Sequence, residues 1–351
     1  PQERYRRERN LAGQRSLYEW QHPPGLPPVC KGIPAPEEFT HRKRDTMTLN
    51  IANSLLNAGL SFVDWKRKGS RRLSHYDALY TLERAPRVQQ YWRRDDEFAR
   101  ERKNGVNPFL ITSITEIPER FPVTDETVRG VLPDGVTIAQ LLGERRLFVC
   151  DWAAIAGAPI VPGRFQVAPI ALFWLDADRS LMPLAIQLGQ SPAEAPVIFT
   201  PADDPWVWLT ARSYVASADG TYHELIAHLT RTHLVMEAVW VAASRTLAPE
   251  HPLHELLRPH FTGTISINNE ALGRLIAPGG PIDVSIAVGA DGGMWLCEQE
   301  YARWRLHDWH PKADMERRGV LDPEVLPDFY YRDDALALYD VLGTYVTDLL
   351  G

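Results

Sequence analysis

The spacing of hydrophobic and polar residues changes along the chain. Residues 46–104 place apolar residues at helical intervals in "TLNIANSLLNAGLSFVDW" and "VQQYWRRDDEFARERKNG", and Gly105 predicts a C-cap for the second helix. Residues 145–200 instead contain short β-branched and aromatic runs, such as "RLFVCDW" and "FQVAPIALFWL", broken by Pro, Gly and Asp. These runs predict strands.

The longest predicted helical region covers residues 201–250. Asp203 or Asp204 is the expected N-cap, because a carboxylate there can accept from the first free backbone N–H groups. Apolar residues dominate every side of this region, so we expect it to be buried. After residue 251, the pattern predicts short helices separated by turns at "APGGP" and "GADGG".

The chain is expected to form one mainly helical unit with a small β region. Residues 1–75 would form an N-terminal arm and helices, residues 76–200 an α+β region, and residues 201–351 a helical region. The first 45 residues are rich in Arg and Pro, which indicates an extended arm with some surface helix. A loosely ordered terminus is an equally good interpretation of the first dozen residues.

Composition narrows the class of protein. The chain has 351 residues, 44% of them hydrophobic, and a formal net charge of -7, which argues against a nucleic-acid partner. Three cysteines, odd in number and far apart, match neither a disulfide framework nor a zinc ribbon. A reducing compartment, the cytoplasm rather than the secretory route, is therefore expected. No apolar run reaches the ~18 residues of a membrane span, and no signal peptide is visible.

Three histidines at equal spacing are the main chemical feature. "YHELIAHLTRTHLVME" contains His223, His228 and His233, each five residues apart. The first pair is not the H-E-x-x-H of a zinc protease, which needs histidines four apart. Five residues of regular α-helix turn about 500°, so two side chains would lie about 140° apart and could not share a metal. A π-helical stretch would return them to one face, and the spacing therefore predicts one.

Two interpretations of these histidines remain open from the residues alone. They could be ordinary helix histidines, some hydrogen-bonded in the core and some exposed. They could also bind a metal, since three imidazoles embedded in apolar sequence are costly unless each nitrogen has a partner. Imidazoles without thiolates suit iron, manganese, copper or zinc.

A family resemblance extends well beyond the histidines. "WRRDDEFARERKNGVNPFLI", "LMPLAIQL", "PADDPWVWLTARSYVASADG", the histidine segment continuing to "HFTGTISIN", and "FYYRDDALALYDVL" occur in the order seen in lipoxygenases. The chain resembles this family over about residues 75 to 350. The resemblance implies the N-terminal part of a multihelical lipoxygenase catalytic domain.

What the resemblance implies about chemistry is specific. His228 and His233 would be metal ligands, while His223 and Glu224 would lie beside the metal without binding it. The metal would be non-haem iron or, in some members, manganese. A metal-bound hydroxide held by His228 and His233 would take a hydrogen from the methylene between two cis double bonds of a polyunsaturated fatty acid, and O2 would add to the resulting radical to give a hydroperoxide.

The resemblance also implies a substrate pocket. Apolar side chains from the histidine segment and from "ISINNEALGRLI" would line it: Leu229, Ile267, Ala271, Leu275 and Ile276. Ala271 occupies the position where S-producing members tend to carry Ala and R-producing members Gly. Ordinary core packing is the competing interpretation of these apolar residues.

Other features of the family are not found in the sequence. A third histidine, an Asn-type ligand and a C-terminal carboxylate would have to come from beyond Gly351, so we expect the C-terminal remainder of the enzyme as a partner. Residues 1–75 lack the strand alternation of the N-terminal β domain found in plant and animal members. In this respect the chain resembles bacterial members. We expect transient contact with a membrane surface. The alternatives are an incomplete fragment that binds lipid or a protein partner, and, more weakly, a hydrolytic zinc enzyme.

Overall fold

A computed structural model describes residues 2–68 and 84–351, together with Leu73, Tyr80 and Leu82. The first region contains α1 (Gln2–Leu17), the short strands β1 (Trp20–Gln21) and β2 (Val29–Cys30), and α2 (His41–Lys68). Helix α1 has no buried residue. The segment between α1 and α2, which we call the arm, contains the two short strands and several turns, and the expected division of residues 1–75 from the rest of the chain stays a prediction.

The arm is fixed to the body by buried contacts. Tyr18 and Cys30 pack in one cluster with Trp240, and β1 pairs antiparallel with β2. The Arg245 guanidinium donates to the Tyr18 carbonyl at 2.6 Å. The arm therefore lies against the same helical region that contains the histidines.

The β region forms a five-stranded antiparallel sheet in strand order. It follows α3 (Val88–Tyr91) and α4 (Asp95–Asn104), and Gly105 ends α4 as predicted. The strands are β3 (Thr112–Ser113), β4 (Leu147–Asp151), β5 (Ile170–Leu175), β6 (Leu181–Gln187) and β7 (Ile198–Phe199), with α5 (Ile138–Gly143) between the first two. Every residue of β5 is buried, because alternate side chains enter two different cores. The prediction of strands within 145–200 is confirmed.

A long helical element follows the sheet. It consists of α6 (Pro205–Thr221), a π-helical segment (Tyr222–Leu234) that we call the ladder helix, and α7 (Val235–Thr246). Asp204 is the N-cap, since its side chain accepts from the backbone N–H of Trp206 at 2.9 Å. The expectation of burial on all sides is wrong: one face, which includes Trp206, Ser213 and Ser217, is exposed, whereas Val215 and Ile226 on the other sides are fully buried.

The remaining helices are mostly short, as predicted. They are α8 (Pro252–Phe261), α9 (Thr264–Glu270) with a π-helical end (Ala271–Leu275), α10 (Pro281–Ser285), α11 (Gly289–Arg303), α12 (Pro311–Arg317) and α13 (Tyr330–Leu350). The predicted turn at "GADGG" is wrong: these glycines form the first turns of α11, where the helix passes close to the chain at Pro159. Helix α13 exposes several large apolar side chains. None of the described helices combines the length and apolarity that crossing a bilayer requires.

Candidate metal centre

The ladder helix has π geometry through the whole histidine segment. Two threonine hydroxyls donate to carbonyls five residues earlier: Thr230 Oγ1 to the Leu225 carbonyl at 2.7 Å, and Thr232 Oγ1 to that of Ala227 at 2.9 Å. The Val235 N–H also bonds five residues back. The π-helix predicted from the spacing of the histidines is confirmed, and it returns residues five apart to one side.

The rings of His228 and His233 converge. Their Nε2 atoms are 3.1 Å apart, and the rings meet edge to face at 77°. Two metal–nitrogen bonds of about 2.1 Å at a right angle separate the nitrogens by about 3.0 Å, whereas a tetrahedral angle separates them by about 3.4 Å. The observed separation therefore fits two adjacent ligands of one ion better than it fits a tetrahedral zinc site.

Both rings have an acceptor at Nδ1, which sets their tautomers. His233 Nδ1 lies 2.7 Å from Asn268 Oδ1, and His228 Nδ1 lies 3.4 Å from Glu224 Oε2. Because these oxygens accept, each Nδ1 bears the hydrogen and each Nε2 keeps its lone pair. Two lone pairs facing each other at 3.1 Å repel unless a cation lies between them. The donor set thus fits a metal ion.

Burial differs between the two rings. His233 is partly buried, and this burial lowers its pKa below the ordinary value, with the neighbouring His228 acting in the same direction and the Asn268 hydrogen bond opposing it. The neutral form, the only one that binds a metal, is favoured. The side chain of His228 is 47% exposed, so the centre is open on that side among the described residues.

His223 has its own partners. Its Nδ1 lies 3.3 Å from Asn107 Oδ1, and Asn107 Nδ2 donates to the Asp219 carboxylate at 2.7 Å. The His223 ring stacks on that of His228 at 12° with centroids 5.7 Å apart. This contact places His223 beside the converging pair and supports its expected role as a neighbour.

A second grouping of donors overlaps the first. Ligand atoms of His223, Glu224 and His228 lie within 4.8 Å of one another. We favour the pair His228 and His233, because its Nε2 atoms face each other while Glu224 approaches His228 at Nδ1. Glu224 then orients the His228 ring, as carboxylates commonly do beside metal-bound histidines.

On the opposite side of the ladder helix, a buried ion pair joins the helix to α11. Arg231 Nε donates to Glu300 of α11 at 2.5 Å, and its guanidinium lies 4.1 Å from the ring centroid of Trp309. Glu300 is 1% exposed. Together with Leu225 against Gly293, this contact holds α11 along the ladder helix and keeps the histidine face turned the other way.

The predicted pocket residues have different environments. Leu229, Ala271 and Ile276 are buried, Ile267 is partly buried, and Leu275 is 46% exposed. Helix α9 and its π-helical end bring Asn268 to His233, with Ala271 one turn further on. Contact of these side chains with a fatty acid stays a prediction.

Asn268 and Glu237 were missed in the sequence. Asn268 lies between the two pocket candidates Ile267 and Ala271, and Glu237 is one turn after His233. Both are almost fully buried, at 1% and 2% exposure. A polar residue inside an apolar periodic segment was the available signal, since it needs a buried partner.

Comparison with known proteins identifies relatives along almost the whole chain. The lipoxygenase family model matches residues 36–351. The human polyunsaturated fatty acid lipoxygenase ALOX15B is 32% identical over 98% of this chain and 53% of its own length, and the linoleate 9/13-lipoxygenase of Pseudomonas aeruginosa is 37% identical over 79% and 42%. The chain thus spans about half the length of these curated relatives.

Solved structures agree with this match. A lipoxygenase crystallised in complex with arachidonate superposes with a TM-score of 0.94 at 30% identity, covering 99% of this chain and 54% of that one. A manganese lipoxygenase of Gaeumannomyces graminis gives a TM-score of 0.77 at 22% identity, covering 94% and 61%, a likeness of fold alone. The mainly helical fold with a small antiparallel sheet, which the sequence predicted, is therefore confirmed as the fold of lipoxygenase catalytic domains.

Proposed function

Because the chain belongs to the lipoxygenase family, we propose that the protein containing it converts polyunsaturated fatty acids and O2 into hydroperoxides at a non-haem metal held by His228 and His233. The observation that carries the proposal is the 3.1 Å approach of the two Nε2 atoms on the ladder helix. Iron is the first metal to test. Manganese is the second, since a manganese lipoxygenase shares the fold.

The chain's own residues would position the metal and the substrate. When bound, a redox-active metal would supply the one-electron step that removes a hydrogen from the methylene between two double bonds, after which O2 adds to the carbon radical. Asn268 and Glu224 orient the two imidazoles. Leu229, which follows His228 in the chain, and Ala271, which lies one turn after Asn268, are both buried and would exclude water from the reacting carbon chain.

Further ligands are needed, because two imidazoles leave most positions of a six-coordinate ion open. We propose that they come from the remainder of the full-length protein, as the chain spans only 53% of the human relative. The exposed side of His228 offers the place where that part would complete the centre.

A second function is favoured by exposed apolar side chains. Leu55 and Phe62 of α2 are 68% and 55% exposed, and Leu338 and Val341 of α13 are 61% and 66% exposed. Faces of this kind bind lipid or another polypeptide. A chain that binds a fatty acid, a membrane surface or a partner without oxygenating the lipid is the alternative.

A reducing compartment, the cytoplasm, is proposed as the location. Its support is that Cys30, Cys150 and Cys297 are all unpaired and buried. Burial raises the pKa of Cys30 and of Cys297 to about 11, which keeps both as thiols.

The test uses the full-length protein and its histidine variants. Metal analysis should find iron or manganese, and linoleate should give the absorbance of a conjugated diene. His228→Ala and His233→Ala should lose both, while His260→Ala, an exposed histidine of α8, should keep both. Protein without either metal and without diene formation would contradict the proposal, and lipid binding without diene would favour the second function.

A further inference from the structure

Asn268 is held in one orientation by two acceptors. Its Nδ2 atom donates to the His233 carbonyl at 3.1 Å and to Glu237 Oε2 at 2.7 Å. An amide NH2 donates and an amide oxygen accepts, so turning the group over would place its oxygen against both acceptors. Oδ1 therefore faces His233 Nδ1, 2.7 Å away.

Glu237 is in turn fixed by the N-terminal arm. Its Oε1 accepts from the backbone N–H of Cys30 in β2 at 2.8 Å. Glu237 lies one helical turn beyond His233, and it is 2% exposed. The hydrogen bonds thus run without interruption from β2 through Glu237 and Asn268 to the His233 ring.

From this chain of contacts we infer that Glu237 and Asn268 are positioning residues that set the tautomer of His233, so that the arm helps determine how tightly the metal is held. Only the Nδ1–H tautomer leaves the Nε2 lone pair free to bind a metal. The inference rests on the metal site proposed above. Partners of this kind typically change metal affinity about tenfold to a hundredfold when removed.

Replacing Glu237 by glutamine makes the inference testable with little change of shape. The Gln oxygen is needed by the Cys30 N–H, so its NH2 would face the NH2 of Asn268. Asn268 then either keeps two donors in contact or turns over and donates to His233 Nδ1, which moves the ring hydrogen to Nε2. Both results weaken metal binding. The double variant N268D/E237Q repairs part of the mismatch, because one oxygen of the new aspartate accepts from His233 Nδ1 and the other accepts from the NH2 of the new glutamine, although that second oxygen also faces the His233 carbonyl.

The experiment measures iron and manganese dissociation constants of the full-length protein by chelator competition, with ¹⁵N-histidine NMR of the metal-free form. Glu237→Gln and Asn268→Leu should weaken binding about tenfold or more, with a loss of the Nδ1–H signal pattern for His233, and N268D/E237Q should bind the metal more tightly than Glu237→Gln. Glu37→Gln is the matched control. Glu37 is also buried, but it bonds Tyr18 and Trp240 instead.

The outcomes separate the two proposals. Wild-type protein that binds neither metal would contradict the proposed function itself. Wild-type protein that binds metal, with Glu237→Gln and Asn268→Leu binding equally well or with Glu37→Gln weakened by the same factor, would overturn the positioning role. If Asn268→Leu does not fold, Glu237→Gln and the double variant still decide the question.

Discussion

The approach of α11 to the chain at Pro159 gives a stability prediction with a worked magnitude. A Cβ added at Gly292 would lie 2.2 Å from the Pro159 carbonyl oxygen and 2.8 Å from Val288 Cβ. The first contact is with backbone, so relief requires the two segments to separate by about 1 Å. Overpacking of this kind costs about 1–3 kcal/mol, and helix propensity returns at most about 1 kcal/mol.

Two other glycine-to-alanine substitutions calibrate this prediction, one at the next residue of α11 and one in α13. At Gly293 the added methyl would meet the end of the Leu225 side chain at 3.2 Å, which can shift by a few tenths of an ångström. At Gly343 of α13 it would meet nothing within 4 Å. We therefore expect Gly343→Ala to be stabilised by about 0.5–1 kcal/mol, Gly293→Ala to be near neutral, and Gly292→Ala to be destabilised by about 2 kcal/mol.

Thermal and urea unfolding of the three variants in the full-length protein measure this order. If Gly292→Ala is as stable as Gly343→Ala, α11 does not pass the Pro159 carbonyl as closely as described. The support that α11 gives to the ladder helix through Leu225 would then have to be revised.

Further substitutions test other contacts of the same region. Asp204→Ala removes the N-cap of α6 and should destabilise the protein by about 1 kcal/mol in urea unfolding; an unchanged midpoint would contradict the cap. Thr230→Val removes the buried hydroxyl bonded to the Leu225 carbonyl and should cost about 1 kcal/mol, whereas Thr230→Ser should retain that bond. The Arg102 guanidinium lies 2.8 Å from the Asp219 carboxylate. Arg102→Met removes this cation and leaves the carboxylate buried without it. It should cost about 3–5 kcal/mol of unfolding free energy, and a loss below 1 kcal/mol would show that the ion pair is not buried in solution.

Sequence patterns predicted those features that depend on residues close together in the chain: the helix cap, the π-helix and the strands. An N-cap at Asp203 or Asp204 was predicted because a short acidic side chain precedes an apolar helical run, and the structure has Asp204 in that position. The π-helix follows from the five-residue spacing of His228 and His233, since regular α geometry would separate two ligands. The strands followed from short β-branched runs.

Contacts between distant residues were beyond the reach of those patterns. Asn268 meets His233 across 35 positions, and Glu237 meets Cys30 across 207. No periodicity reports such a pairing, because it depends on how α7, α9 and β2 pack together. The glycines of "GADGG" were misassigned for the same reason: Gly292 allows the close approach to Pro159 and Gly293 the approach to Leu225, and neither forms a turn.

The metal centre is tested most directly by anomalous diffraction from crystals of the full-length protein, with data collected on both sides of the iron and manganese absorption edges. The account predicts one peak about 2.1 Å from Nε2 of both His228 and His233. The absence of a peak would contradict the account, and so would a peak that lies beside His223 and Glu224 and away from His233.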